Sequence, residues 1–352
     1  MNQQTEIIWD KGSAYDLFVS LRILHRPDEY GLRPSWAAGV RSRMPIALRD
    51  VLEHAQNFLS VPLHWIYNLP EPKDAETALA ELRALPPEDR LPALVFATKE
   101  DERSTDFKQF LMSLEGKKRL SAKVEAHIKQ YYRNPDRITR EFIREFFDAW
   151  TKRTAFGEEL LEALEAYIEN FFQEEELRIL PAQSKALNDA QGLAEKTDVL
   201  SLLEELSTGV RMEWIADVST VILAPSFWGA PFVFFENLDQ ETGLVLFGAR
   251  PKGSSLVPGE MIPEELLNAL KALADPTRLR IMRYLLEDPC SPSELAKILR
   301  LRPPTVIHHL HILRLAGLVG VKISPQTERC YAVRFEGIDA TIQHLKDFLP
   351  GE

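Results

Sequence analysis

Through most of the first 200 positions, apolar residues recur at helical spacing. Leu17, Phe18, Leu21 and Leu24 form one stripe after Ser13. Val124, Ile128 and Tyr131 form another, Ile138, Phe142, Phe146 and Trp150 a third, and Leu161, Leu164, Ile168 and Phe172 a fourth, with Pro181 expected to interrupt it. The pattern then changes. Residues 213–223, 231–235 and 243–248 read as three β-runs separated by turns, which predicts a small antiparallel sheet. Residues 250–263 are dense in breakers (Pro251, Gly253, Pro258, Gly259, Pro263) and read as a linker.

Beyond the linker the signals sharpen. Asp275 is placed to cap a helix that opens on Pro276, where a missing N–H costs nothing. Leu279, Met282, Leu285 and Leu286 follow at helical spacing. Ser291-Pro292-Ser293-Glu294 has the form of a capping box, and its helix carries Leu295, Ile298 and Leu299. Only Arg300, Leu301 and Arg302 separate that helix from Pro303, which opens another helix running to Ala316, with Gly317 as its stop. Val306, Leu310 and Leu313 face inward on this third helix. Residues 319–323 and 329–335 then alternate like strands around Ser324-Pro325-Gln326-Thr327. Two helices on a short turn, followed by a hairpin, predict a winged helix-turn-helix. The fold class expected is mainly α with small antiparallel β elements (α+β). An α-rich N-terminal domain would occupy residues 1–250, a linker 251–263, and the winged domain 264–352.

The last segment resembles the ArsR family of bacterial winged-helix transcriptional regulators. The residues that carry the resemblance are Leu273-Ala274-Asp275-Pro276-Thr277-Arg278, Glu294-Leu295-Ala296, Pro304-Thr305-Val306 with His308-His309-Leu310, and Leu313-Arg314-Leu315-Ala316-Gly317-Leu318-Val319. They hold in order across four elements and cover about a quarter of the chain. The resemblance implies that the helix from Pro303 reads the DNA major groove, that the hairpin is the wing, and that the protein is a homodimer; a bacterial repressor is expected, and two cysteines in the chain fit a reducing cytoplasm. The chain departs from the family where it has Arg300 in place of the usual turn glycine, and Arg302 and Ile307 in place of serines. Ser291 and Ser293 stand where the founding arsenic sensors place two cysteines, so no thiolate metal site is carried over, and Cys290 alone does not chelate a soft metal.

Charge divides the chain in the same way. The net charge is −11, which argues against DNA binding if taken globally. From Glu264 onward there are 12 Lys+Arg against 11 Asp+Glu, leaving 30 against 42 for the rest. The acidity belongs to the N-terminal region, and a local basic patch, not the total, sets attraction to phosphate. Two cysteines do not make a disulfide scaffold, no apolar run approaches membrane-spanning length, and the first ten residues are unlike a signal peptide. Phosphate-loop, dinucleotide, zinc-protease, nucleophile-elbow and Cys-x-x-Cys motifs are all absent from the sequence. The reading carries no catalytic residue, metal or cofactor.

Candidate DNA-contacting residues are Arg302, Pro304, Thr305, His308, His309, His311 and Arg314 on the third helix, with Lys322 and Arg329 on the wing. Histidines on a groove-facing helix contact phosphates or base edges without needing charge. His309 flanks the core side and is equally suited to a partly buried structural role. Ile338, Ile342, Leu345 and Phe348 form a stripe suited to a dimer seam or to packing on its own domain. The six tryptophans all precede the winged segment. The size of the N-terminal domain points to sensing of a small-molecule or protein effector. An enzyme with a fused regulatory module, and a scaffold whose winged helix binds protein, are the alternatives.

Overall fold

The computed structural model describes residues 5–96, 102–132, 138–251, 253–258, 263–323 and 328–349. The chain forms two compact units. One is helical and comprises Gly12–Arg26 and Pro34–Ile179; the other comprises Met1–Lys11, Pro27–Arg33 and Leu180–Glu352.

The helical unit is built around Ser13–His25. An amphipathic helix with one apolar stripe was expected, but this helix is buried on nearly every side, from Ser13 through Leu21 and again at Ile23 and Leu24. Its polar members find partners inside: Ser20 Oγ lies 2.9 Å from Tyr167 Oη, and burial drives the Tyr167 phenol well above its ordinary pKa. The Arg140–Thr151 helix has the pronounced one-sided pattern its sequence shows, burying Ile143, Phe146, Phe147 and Trp150. Its Phe142 and Phe146 rings stack on each other, and Phe107 stacks on Phe146 and on Tyr131. A buried aromatic of this kind contributes about 2–3 kcal/mol. Pro181 does not end a helix as expected. It sits inside Gln173–Ala194, which follows a π-helical turn at Ile168–Phe172.

The second unit holds two sheets. Strands β1 (Glu6–Trp9), β2 (Val210–Met212), β3 (Thr220–Ser226), β4 (Phe234–Asn237), β5 (Thr242–Gly248), β6 (Val319–Ile323) and β7 (Cys330–Val333) supply them. The first sheet has the order β1-β3-β5-β4. The expected antiparallel sheet is corrected here: β1, β3 and β5 run parallel, and only the β4–β5 hairpin is antiparallel. Buried on both faces, β3 and β5 carry continuous apolar runs instead of an alternation. The run expected over 213–223 also divides, because Glu213–Asp217 is a 3-10 turn and the strand begins at Thr220.

The winged module contains helices α1 (Glu264–Leu273), α2 (Pro276–Leu285), α3 (Pro292–Leu299), α4 (Pro303–Leu315) and α5 (Phe335–Phe348). Local signals act as the sequence reads. Asp275 accepts from Arg278 N at 2.9 Å, and the Ser291/Glu294 capping box makes both of its bonds. Gly317 takes φ +70 beyond α4. The core is Ile281, Met282, Leu285, Leu295, Leu299, Val306, Leu310 and Leu313. Leu279, Leu286 and Ile298, expected in the stripes, are exposed.

The module is joined to the region before it by strand pairing as well as by the chain. Leu256 and Val257 are buried within the expected 251–263 boundary, and the division between compact units falls instead after Ile179. Strand β2 of the preceding region pairs in parallel with wing strand β6, Val210 opposite Val321 and Met212 opposite Ile323, giving a sheet of order β2-β6-β7. Arg314 seals the same seam. It is 7% exposed, and its Nη2 donates to the carbonyls of Ser207 (3.0 Å) and Pro231 (3.2 Å). Burial, then the nearby Arg334, lowers its pKa to about 10.

Three outcomes follow from this packing. Arg300 holds a left-handed conformation (φ 55, ψ 43), which costs a side-chain-bearing residue about 1–2 kcal/mol. Glycine recovers that strain but adds unfolded-state entropy, so Arg300→Gly should stabilise by at most about 1 kcal/mol. Arg300→Val should destabilise, and urea midpoints check both. Arg314→Met should lower stability by on the order of 2 kcal/mol, because two buried carbonyls lose their donor. In the helical unit, burial lowers the His25 pKa from 6.5 to about 4. The unfolded chain therefore takes up the proton first as pH falls, so stability is full above pH 6.5 and declines between there and about 4. His25→Gln should flatten that part of the stability–pH curve.

Candidate nucleic-acid interface

The turn between α3 and α4 presents the N-terminal half of α4. Arg302 occupies the N-cap position without a side-chain cap bond, and Pro303 and Pro304 fill positions where a missing N–H is harmless. With Val306, Leu310 and Leu313 in the core, Arg302, Pro304, Thr305 and His308 are left exposed on the outer face. Ile307 stands beside them at 43% exposure, a position that apolar type alone had not placed at the interface.

His309 is half-buried at the edge of this face, its ring 6.1 Å from that of His308. Burial lowers its pKa most, Arg278 and His308 add to that, and Asp275 opposes them. The neutral imidazole is therefore the form held near neutral pH, able to donate at one nitrogen and accept at the other. Among the described residues His309 Nδ1 has no hydrogen-bond partner.

The C-terminal half of α4 faces elsewhere. The His311 ring stacks on Phe232, centroids 5.8 Å apart with a 21° interplanar angle. Arg314 is buried as described above. Both were expected on the DNA face and both are corrected: helical phase placed His311 opposite the module's own core and Arg314 on a flank, but the sheet-bearing part of the same unit packs against them. Gly31 approaches Leu315 so closely that a Cβ there would lie 2.5 Å from the Leu315 side chain.

On the wing, Lys322 is exposed but ion-paired with Glu213 at 2.6 Å, while Arg329 is exposed on the approach to β7. Ser293 Oγ donates to Glu328 Oε1 at 2.8 Å, tying α3 to the wing base. The turn expected at 324–327 lies outside the described residues. Cys290 and Cys330 are free thiols, and the Cys290 pKa is raised by burial and by Glu294, Asp288 and Cys330 around it. Among the described residues no group of three or more His, Cys, Asp or Glu is arranged to hold a metal.

Comparison with known proteins agrees with this geometry. The family described as bacterial regulatory protein, arsR family, matches residues 275–321, from the α2 cap into β6. The HTH-type transcriptional regulator CmtR of Mycobacterium bovis is 47% identical over 60 residues, 17% of this chain and 51% of that protein. CmtR of Mycobacterium tuberculosis matches to the same extent. The chain thus spans about half the length of the curated relatives it matches. A crystal structure of the ArsR family transcriptional regulator RHA00566 is 27% identical, covering 26% of this chain and 97% of that one, with a TM-score of 0.22. Residues 275–321 are therefore an arsR-family helix-turn-helix domain, carried within a much longer chain.

Proposed function

We propose that this protein regulates transcription by binding double-stranded DNA through its winged module, with no catalytic activity of its own. The observation that carries the reading is the coincidence of the family match at 275–321 with the face of α4 left open to solvent at Arg302, Pro304, Thr305 and His308. In this reading those residues enter the major groove, His309 lies at its edge, and Arg329 contacts phosphate from the wing. Lys322 contributes once it exchanges Glu213 for a phosphate.

The protein acts as a cytoplasmic homodimeric repressor at an inverted-repeat operator, its half-sites about one helical turn apart. Exposed apolar residues on α5 (Ile342 and Phe348) and on α1 (Leu270) form the seam between copies, while Ile338 packs on the module's own core. The region before the module senses an effector and sets the position of the wing. No helix among the described residues is long and apolar enough to cross a membrane, and the reading includes no membrane partner.

Selection and sequencing of genomic fragments retained by the full-length protein tests this. The expected product is an enriched palindrome. Arg302→Glu combined with Arg329→Glu should weaken retention by about 100-fold in low salt and reduce the salt slope by roughly two phosphate equivalents, at unchanged melting temperature. Equal retention by the double variant would sink the proposed interface.

A further inference from the structure

A cavity of about 700 Å³ opens where the winged module meets the rest of its own compact unit. That volume is in the range of small-molecule sites. One wall is the module itself, with Glu265 on α1, Leu315–Gly317 at the end of α4, and Ala340 on α5. The other wall comes from the preceding region, with Leu193, Glu205, Leu206 and Phe247. Leu256, from the segment expected to be a linker, also lines it.

Apolar side chains (Leu193, Leu206, Phe247, Leu256 and Leu315) make the cavity a place for an apolar body. The charged groups decide what that body carries. Five carboxylates line it (Asp189, Glu205, Glu264, Glu265 and Glu336) against three cations (Lys185, Arg250 and Arg334). Arg334 donates to Gly317 O at 2.9 Å and Lys185 pairs with Asp189 at 3.7 Å; Arg250 donates through Nη2 to Ala230 O at 2.8 Å, while its Nε and Nη1 are buried without a hydrogen bond among the described residues. Glu264 accepts from Leu256 N at 3.3 Å. Among the described residues no side-chain hydrogen bond or ion pair engages Glu205 or Glu265, which come from opposite walls. An anionic ligand would meet a surplus of carboxylates. A cationic one meets two carboxylates and an apolar chamber.

We infer that this cavity binds an organic cation with an apolar body, of the alkyl- or arylammonium class, and that its occupancy changes the grip of the winged module on DNA. The inference rests on the DNA-binding reading for its second half only. Coupling follows from the walls. Leu315 at the end of α4 lines the cavity, and Arg314, one residue before it, fixes the helix to the Ser207 and Pro231 carbonyls. A ligand held between Glu205 and Glu265 favours whichever separation of the two walls suits it, and it shifts the module only by that difference in affinity.

The experiment titrates the full-length protein with benzyltriethylammonium by calorimetry, and with benzenesulfonate as the anion of similar size. The expected result is saturable binding of the cation and none of the sulfonate. Glu205→Gln with Glu265→Gln should weaken cation binding about tenfold or more at unchanged melting temperature, a loss of roughly 1.4 kcal/mol. Ala340→Trp, which fills the chamber, should abolish it. In parallel, the cation should change the dissociation constant of the retained DNA by roughly fivefold or more in the wild type, and leave it unaltered in the Gln pair. No heat with the cation, equal binding by the Gln pair, or preference for the sulfonate overturns the site. Cation binding that leaves DNA affinity unchanged overturns the coupling. If the protein retains no DNA at all, the proposed function fails, and calorimetry still decides the site.

Discussion

The parallel pairing of β2 with β6 is the constraint on which the rest of this structure depends. A wing ordinarily needs only its own hairpin, and an edge strand left open is a liability that a fold has to cover. Here the edge is covered by Val210–Met212, a strand from the region before the module. Backbone hydrogen bonding fixes register as well as distance, so the wing cannot slide along the preceding region without breaking the ladder. Val321 N donates to Gly209 O at 3.1 Å, next to Thr208, a non-glycine residue that holds φ 58. Strain of this kind persists only where its surroundings over-determine it, and here the pairing supplies that.

Arg314 completes the constraint by a different force. A buried guanidinium with two carbonyl acceptors and, among the described residues, no carboxylate paired with it is an expensive group, as its lowered pKa reflects. The cost is offset by satisfying two carbonyls that the junction would otherwise bury without a donor. The result divides α4 into two halves with separate tasks. Its first turns face solvent at Arg302, Pro304, Thr305 and His308 and are free to meet a ligand as large as a duplex. Its last turns, His311 to Leu315, are held by Phe232, by the Ser207 and Pro231 carbonyls and by the close approach of Gly31.

Local chemistry was legible from the residues alone. The Asp275 cap, the Ser291/Glu294 box, the inward row Val306, Leu310 and Leu313 and the stop at Gly317 each depend on neighbours within one or two turns, so their spacing suffices. The helix-turn-helix, and with it the exposed face bearing Arg302, Pro304, Thr305 and His308, rests on such terms. Arg300 is the exception that sequence could flag but not settle: the position favours glycine, yet the surrounding fold holds arginine there in the left-handed region.

What tertiary structure decided are the matters that depend on partners distant in the chain. Strand β1 is four residues long and carries no pattern strong enough to announce itself; it exists because β3, far downstream, pairs with it. The parallel direction of the first sheet, the stacking of His311 on Phe232, the burial of Arg314 and the burial of Leu256 and Val257 have the same origin. A helical wheel states which residues share a face, but not what will be packed against that face. Periodicity is a property of one segment, whereas burial belongs to two, and only the folded chain brings the second segment into place.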